Sequence, residues 1–322
     1  MKLIVILIFV LNNFAFAQFA PPAGQPGSTA IYKDSPVFTG WAQNVEIYRG
    51  YVDISDKSLG FTDYGDKEYI FGIADGKVLS LGDSGVVVIK LDNPVFNGDS
   101  WDFAVFENGF NDEFLELAFV EVSSDGDHYY RFPAVSFTDT TVQTGTFGAT
   151  DATKIHNLAG KYRVNYGTPF DLDFIEDNNL LDKNNIRFIK IIDVIGSLDD
   201  RYATYDSKGN KINDPFPTPF NSGGFDLDAV GIIHQKIQNS NDDTGMTDII
   251  IYPNPVRSIL QIRSVSNCIS NIEILDVSGS KYNISQIYGS GIYDLSSIQP
   301  GMYFIKIDFG KDKTIIRRII KE

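Results

Sequence analysis

The chain has 322 residues, enough for two domains that each bury a core. Its formal charge is −15; from residue 248 onward nine Lys/Arg meet seven Asp/Glu, a net of +2, which leaves −17 on residues 1–247. A body this acidic repels phosphate backbones and anionic membrane surfaces, which argues against nucleic acid as a partner, and the single cysteine, Cys268, excludes an internal disulfide.

In chain order, residues 1–17 read as a secretory signal peptide. Lys2 supplies the positive start, residues 3–11 form an unbroken apolar run, and Ala15-Phe16-Ala17 is a small-x-small cleavage site that would leave Gln18 as the mature N-terminus. The run is far shorter than the ~20 residues needed to span a bilayer, and no later stretch approaches that length, so a soluble mature protein without a transmembrane segment is expected. Exported without disulfides, the chain must hold itself by core packing, with bound metal as an optional addition, and Cys268 reads as a small buried hydrophobe.

Residues 18–237 form the expected body. Runs at 85–91, 101–106, 117–122 and 186–194 are short and rich in β-branched and aromatic residues, and Asn97-Gly98-Asp99, Ser124-Asp125-Gly126 and Ser207-Lys208-Gly209-Asn210 separate them as turns. No segment keeps a helical period over three turns. The expectation is an all-β chain with a jelly-roll-like β-sandwich body. Residues 238–247 are polar, turn-forming and aperiodic, which marks a linker. Beyond it, runs at 249–252, 259–263, 271–276, 301–308 and 314–320 predict a small immunoglobulin-like β-sandwich over residues 248–322.

That last module resembles a known family. Tyr252-Pro-Asn-Pro-Val256, Leu260-x-Ile262, Ile274-Leu-Asp-Val-Ser-Gly279, Tyr293-Asp-Leu-Ser-Ser-Ile-Gln-Pro-Gly-Met-Tyr-Phe-Ile-Lys-Ile307 and the basic ending Arg317-Arg318-Ile-Ile-Lys321 are similar to the type A C-terminal sorting domain of the Bacteroidetes type IX secretion system. The resemblance implies Sec export, passage across the outer membrane by the type IX machinery, and removal of the domain to leave cargo released or anchored at the surface. The body resembles secreted bacterial proteins known only as "cell surface protein", through Asp102-Phe-Ala-Val-Phe-Glu-Asn108, Leu117-Ala-Phe-Val-Glu-Val-Ser-Ser-Asp-Gly126, Tyr166-Gly-Thr-Pro-Phe-Asp-Leu172 and Ser222-Gly-Gly-Phe-Asp-Leu-Asp-Ala-Val-Gly231. That likeness implies an extracellular β-sandwich, some of whose relatives accompany outer-membrane uptake systems, including those for cobalamin.

Candidate chemistry is thin and mostly acidic. Gly82-Asp-Ser-Gly85 looks like a serine-protease nucleophile motif, but no histidine precedes it, and Asp243-Thr-Gly245 has no second copy; both read as turns. His128, His156 and His234 share no metal-binding spacing, which argues against a zinc centre. Seven aspartates between 193 and 228 sit among Gly, Asn and Pro, the hard-oxygen setting that calcium takes. Asp206 and Asp214 bracket a loop that departs from the EF-hand pattern at Lys208, with a solvated hairpin turn as its plainer reading. Asp226 and Asp228 alternate onto one face of a strand, where a cation would separate their charges, so calcium ligation is assigned to Asp226, Asp228, Asp206 and Asp214. Trp101, Glu107 and Asn108 are assigned to ligand binding. Glu107 paired with Glu121 or Asp102 would suit a glycosidase, although capping explains Glu107 and Asn108 as well. The sequence thus predicts a non-catalytic protein that binds a glycan or captures a small nutrient, with a polysaccharide hydrolase and a structural surface-layer component as alternatives.

Overall fold

A computed structural model describes residues 19–236, 249–264, 269–276, 279–282, 284–286, 291–308 and 314–322. The expected signal peptide, the 238–247 linker and Cys268 lie outside the described residues. Contacts divide the chain into two compact units, one ending at His234 and the other running from Gln235 to Glu322 and including Pro36–Thr39.

The body is a β-sandwich. One sheet runs in the order β1 (Ile31–Tyr32), β11 (Tyr166–Phe170), β6 (Phe103–Glu107), β13 (Asp226–Ile232), β2 (Gly40–Trp41), with β4 (Leu79–Ser80) also paired to β13. The other runs β3 (Val45–Tyr48), β5 (Val86–Val95), β12 (Ile186–Asp193), β7 (Ala118–Ser123), β8 (Tyr130–Arg131). A small ribbon of β9 (Val135–Ser136) and β10 (Ile155–His156) stands beside them. Every strand pairing is antiparallel, and helical structure among the described residues is limited to four short 3₁₀ turns. No helix there is long and apolar enough to cross a membrane.

Period-two alternation explains the packing. Val87, Ile89 and Leu91 of β5 and Ile189 and Ile191 of β12 meet Phe103 and Val105 of β6 and Phe170 of β11 in one buried cluster, while their strand neighbours face outward. At its centre Phe103 stacks on Phe170 with centroids 5.4 Å apart, and Phe132 stands edge-on to Phe103 at 5.8 Å. On the outer face of β6, Phe106 lies under Trp41 at 5.4 Å. Strand β13 slips phase in the middle: Leu227 pairs with Glu107 but Ala229 pairs with Phe106, so Asp228 is the extra residue of a bulge. Leu227 before the bulge and Val230 and Ile232 after it all reach the core.

The second unit also folds as two sheets over one core. Strands β14 (Ile249–Tyr252), β15 (Ile259–Ser264), β19 (Ile292–Asp294) and β18 (Ser285–Gln286) make one, and β17 (Lys281–Tyr282), β16 (Asn271–Asp276), β20 (Gly301–Asp308) and β21 (Thr314–Lys321) make the other. Leu260, Ile262, Ile274, Ile305, Ile307 and Ile319 fill the space between them.

Phe103 is fully buried between two aromatic partners, so its truncation removes both transfer energy and packing. Phe103→Ala should lower stability by about 3–5 kcal/mol, read as a fall in the urea midpoint with the slope unchanged. A change under about 1 kcal/mol would place the structural centre of the body elsewhere.

Candidate functional site

The acids of the body fall into two kinds. The first kind has its oxygens committed to backbone N–H groups and fixes loops. Asp206 accepts from the N–H of Ser136, Lys208 and Asn210 at 2.8–2.9 Å and from the Asn210 amide at 3.0 Å. Asp214 accepts from Leu117 N–H at 3.0 Å. Asp193 accepts from Phe225 and Ser84, which holds the Gly82–Gly85 segment as a turn leading into β5. Asp228 accepts from Asp75 and Gly76 N–H at 3.0 and 3.1 Å. Asp102 is fully buried and accepts from Gly98, Leu172 and the His234 ring, at 2.8 Å in each case.

The second kind gathers under a surface cleft. Glu116, Asp226 and Asn108 line a cleft of about 270 Å³ together with Phe110, Phe114, Phe147, Phe220 and Tyr64. Glu107 lies just behind, exposed to only 1 %, with Oε2 accepting from Gly109 N–H at 2.7 Å and Oε1 without a partner among the described residues. Glu116 is exposed to only 7 %, and among the described residues its carboxylate accepts no hydrogen bond. Burial first, then the charges of Asp226 and Glu107, holds the Glu116 carboxyl well above the usual carboxylate range; burial and Asp226 do the same to Glu107. Asp226 is pushed up to about 7 by burial, against the stabilising hydroxyl of Ser80, the Asn108 side chain and the charge of Arg49.

Local chemistry fixes these positions. Glu107 ends β6 where it pairs with Leu227, and Asp226 opens β13 opposite Ser80 of β4. Gly160 has φ +79°, and a Cβ there would meet the Glu116 carbonyl oxygen at 1.8 Å, so only glycine lets that loop pass behind Glu116. The cleft wall is a row of rings contributed by three loops: Phe110 to Phe114 at 5.1 Å, Phe114 to Phe147 at 6.1 Å, Phe147 to Phe220 at 5.9 Å. Phe110 and Phe147 are exposed to 71 and 73 %, an apolar patch of the kind that marks a ligand or partner site.

Of the residues assigned to ligand binding from sequence, Glu107 and Asn108 meet at this cleft and Trp101 does not. Trp101 precedes β6 at its other end, about 20 Å away along an extended strand, where its ring faces Phe174 at 6.3 Å. Of the four acids assigned to calcium, Asp226 is in the cleft; Asp228 holds the 75–76 loop, Asp206 closes its own turn, and Asp214 anchors Leu117. No three acidic, histidine or cysteine side chains among the described residues stand ready as a metal-ligand set. The pairings considered for Glu107 do not form either: Glu121 is taken by Arg131 and Lys190, and Asp102 by His234. Sequence reading missed Phe110, Phe147 and Phe220. Their flanks of Gly, Pro, Asn and Thr, without strand periodicity, were the signal that these rings are not core.

Residues 250–322 match the family described as the secretion system C-terminal sorting domain. Among solved structures, the chain is similar at 9 % identity to a "b-glucuronidase from Ruminococcus gnavus in complex with D-glucaro 1,5-lactone", covering 90 % of this chain and 46 % of that one with a TM-score of 0.24. It is similar at 10 % identity to "Biofilm associated protein - BSP domain", covering 90 % and 53 % with a TM-score of 0.19. The chain thus spans about half the length of each, and likenesses this loose carry no argument about the body. No curated protein matches the chain in sequence.

The loop-fixing acids give the body a defined pH response. Burial pushes Asp83 up to about 6 and holds Asp193 and Asp214 well above the usual range. Such carboxyls keep their protons longer folded than unfolded, so their contribution is intact below the unfolded pKa of about 4 and is lost as pH rises through the folded values. The depressed acids, Asp199 at about 2 on the surface and the buried Asp206, contribute stability above the unfolded pKa that is lost only as pH falls below that window. In chelator-containing buffer the melting temperature by scanning calorimetry should therefore be higher at pH 5 than at pH 8; the opposite order would mean that these carboxyls are ionised and well paired in the fold.

Proposed function

We propose that this protein, which ends in a type IX secretion C-terminal sorting domain and so is secreted or attached at the outer-membrane surface, binds a glycan or small molecule in the aromatic cleft of its body without transforming it. The observation that carries this reading is the row of exposed rings, Phe110, Phe147 and Phe220, standing over a buried carboxyl, Glu116, that accepts no hydrogen bond among the described residues. A ligand with an apolar ring face and hydroxyl edges answers both halves of that arrangement: its C–H face covers the rings and a hydroxyl donates to the carboxyl. The charge of −17 on residues 1–247 disfavours anionic ligands. The strand orders β2-β13-β6-β11 and β5-β12-β7-β8 support a jelly-roll reading of the body, with the cleft loops gathered at the strand ends.

A hydrolase is the second reading, and one observation favours it. Glu116 and Asp226 line the same cleft in different surroundings, since Asp226 has Ser80, Asn108 and Arg49 to support its charge and Glu116 has none of them. Such a pair could divide into acid and base.

Both readings meet one experiment. The chain from residue 18 to residue 322 is screened against a glycan array and against cobalamin, and each bound glycan is then incubated with the protein and chromatographed. We expect binding that Phe147→Ala weakens about tenfold, or ~1.4 kcal/mol, with the glycan recovered intact. Shortened products would replace the binding reading with the hydrolase, and ligands held equally well by Phe147→Ala would remove the cleft from either.

A further inference from the structure

The loop that carries Phe147 borders a second hollow. Thr146 and Phe147 line the aromatic cleft, while Thr144, Gly145 and Gly148 on either side of them line a neighbouring hollow of about 390 Å³. Consecutive residues are only ~3.8 Å apart, so cleft and hollow share one wall. That wall is well held. Asn213, exposed to 2 %, accepts from Thr144 N–H at 2.9 Å and Gln143 Nε2 at 3.0 Å, and donates to the Val142 carbonyl at 2.8 Å. Gln143 also donates to the Gly196 carbonyl at 2.9 Å and accepts from Leu198 N–H at 2.8 Å. Thr150 N–H donates to the Glu113 carbonyl at 2.7 Å and Phe216 N–H to that of Thr144 at 3.0 Å, which ties the wall to the loops bearing Phe114 and Phe220.

The hollow differs from the cleft in chemistry. Val142, exposed to 73 %, gives it one apolar side. Asp139 and Asp151 each commit Oδ1 to their own turns, through the N–H and hydroxyl of Thr141 and of Thr153, and neither Oδ2 accepts a hydrogen bond among the described residues. Lys154 adds an exposed amine, and Thr150, exposed to 4 %, has a hydroxyl without a partner among the described residues. Acceptors, donors and an apolar wall together suit a neutral polyol. A phosphate or sulfate would meet two carboxylates, and a cation would meet Lys154.

We propose that this hollow is a second sugar subsite beside the cleft, so that the ligand of the body is a neutral oligosaccharide rather than a single sugar or a compact cofactor. The inference rests on the binding reading of the cleft and deepens it. At about 270 Å³ the cleft alone falls below the ~300–1,000 Å³ usual for small-molecule sites, and the hollow adds its volume next to it. One ring of the ligand lies against the phenylalanines, and the chain continues past residues 144–148 to place further hydroxyls on Asp139, Asp151 and Lys154. Because Asn213 and Gln143 hold the shared wall in advance, little ordering cost falls on binding.

The test is calorimetric titration of the chain from residue 18 to residue 322 with neutral gluco-, manno-, galacto- and xylo-oligosaccharides of two to six units, and with cobalamin. The expected result is an affinity that rises about tenfold or more from the disaccharide to the longest member of the series that binds. Phe147→Ala should weaken binding at every length. The double variant Val142→Ala, Lys154→Ala should lose the gain with length and keep the disaccharide affinity, since both side chains are exposed and neither lines the cleft. If the double variant melts below the wild type, Lys154→Ala alone carries the same comparison. An affinity independent of length, with Phe147→Ala still weakening it, would overturn the second subsite and leave the cleft reading standing. A gain with length that survives in the variant, or binding of cobalamin without any oligosaccharide, would do the same. Binding of neither class would overturn the cleft reading and this inference with it.

Discussion

The body depends on buried aspartates that accept hydrogen bonds from backbone N–H groups far away in sequence. A chain with one cysteine has no covalent staple for its loops, and a sandwich of short strands has many loops to hold. Asp193 ties the residue 84 turn to the entrance of β13 through Ser84 and Phe225, and Asp102 ties the residue 98 turn to Leu172 and His234. Asp214 reaches across to Leu117, and Asp228 to the 75–76 loop. Each bond is charge-assisted when the acid is ionised, and each satisfies an N–H that the strand ladders leave over. The aspartate excess of residues 1–247 is therefore in part structural, which a charge count alone attributes to solubility or cation binding.

This division of labour explains how far the sequence could be read. Strand existence was legible because alternation and β-branched content are local: the run at 186–194 becomes Ile186–Asp193, and the runs at 271–276 and 301–308 match their strands residue for residue. The sorting domain was legible for a different reason, since its motifs occupy most of a short module. The acid arithmetic was not legible. Asp206 lies between Tyr205 and Ser207 and Asp226 between Phe225 and Leu227, yet these neighbours do not tell that one accepts three hydrogen bonds within its turn and a fourth from Ser136, while the other stands in a cleft. What separates them is which N–H groups arrive from elsewhere, and a single sequence does not record that.

The cleft itself is a product of long-range closure. Glu107 and Glu116 are nine residues apart, but Asp226 joins them from more than a hundred residues away through the β6–β13 pairing, and Phe147 and Phe220 come from two further loops. The bulge at Asp228 matters here, because it shifts the alternation of β13 so that Leu227 and Val230 both face the core. A regular strand would place Asp226 and Asp228 as equivalent neighbours. With the extra residue they serve separate ends: Asp228 fastens a loop and Asp226 faces the cleft. Trp101 fell outside the site for the mirror reason, since sequence proximity to Glu107 becomes distance once the strand is extended.

Glu107 and Glu116 are where the economy of the fold breaks. A fold that needs its acids to fix loops gives each of them donors, as Asp102, Asp193 and Asp206 receive. Burying a carboxyl with an oxygen left unmatched costs on the order of 1–3 kcal/mol or more, and nothing in the core packing requires a glutamate at either position. Beneath them Gly160 keeps the crossing open for the Glu116 backbone, and beside them Gly109 leaves no room for a Cβ against Glu107. Local rules are thus broken together in one place, over a cleft with exposed rings, and that coincidence is what supports the proposed binding role. On the reading proposed above, a ligand from outside the chain supplies the donor that the protein withholds.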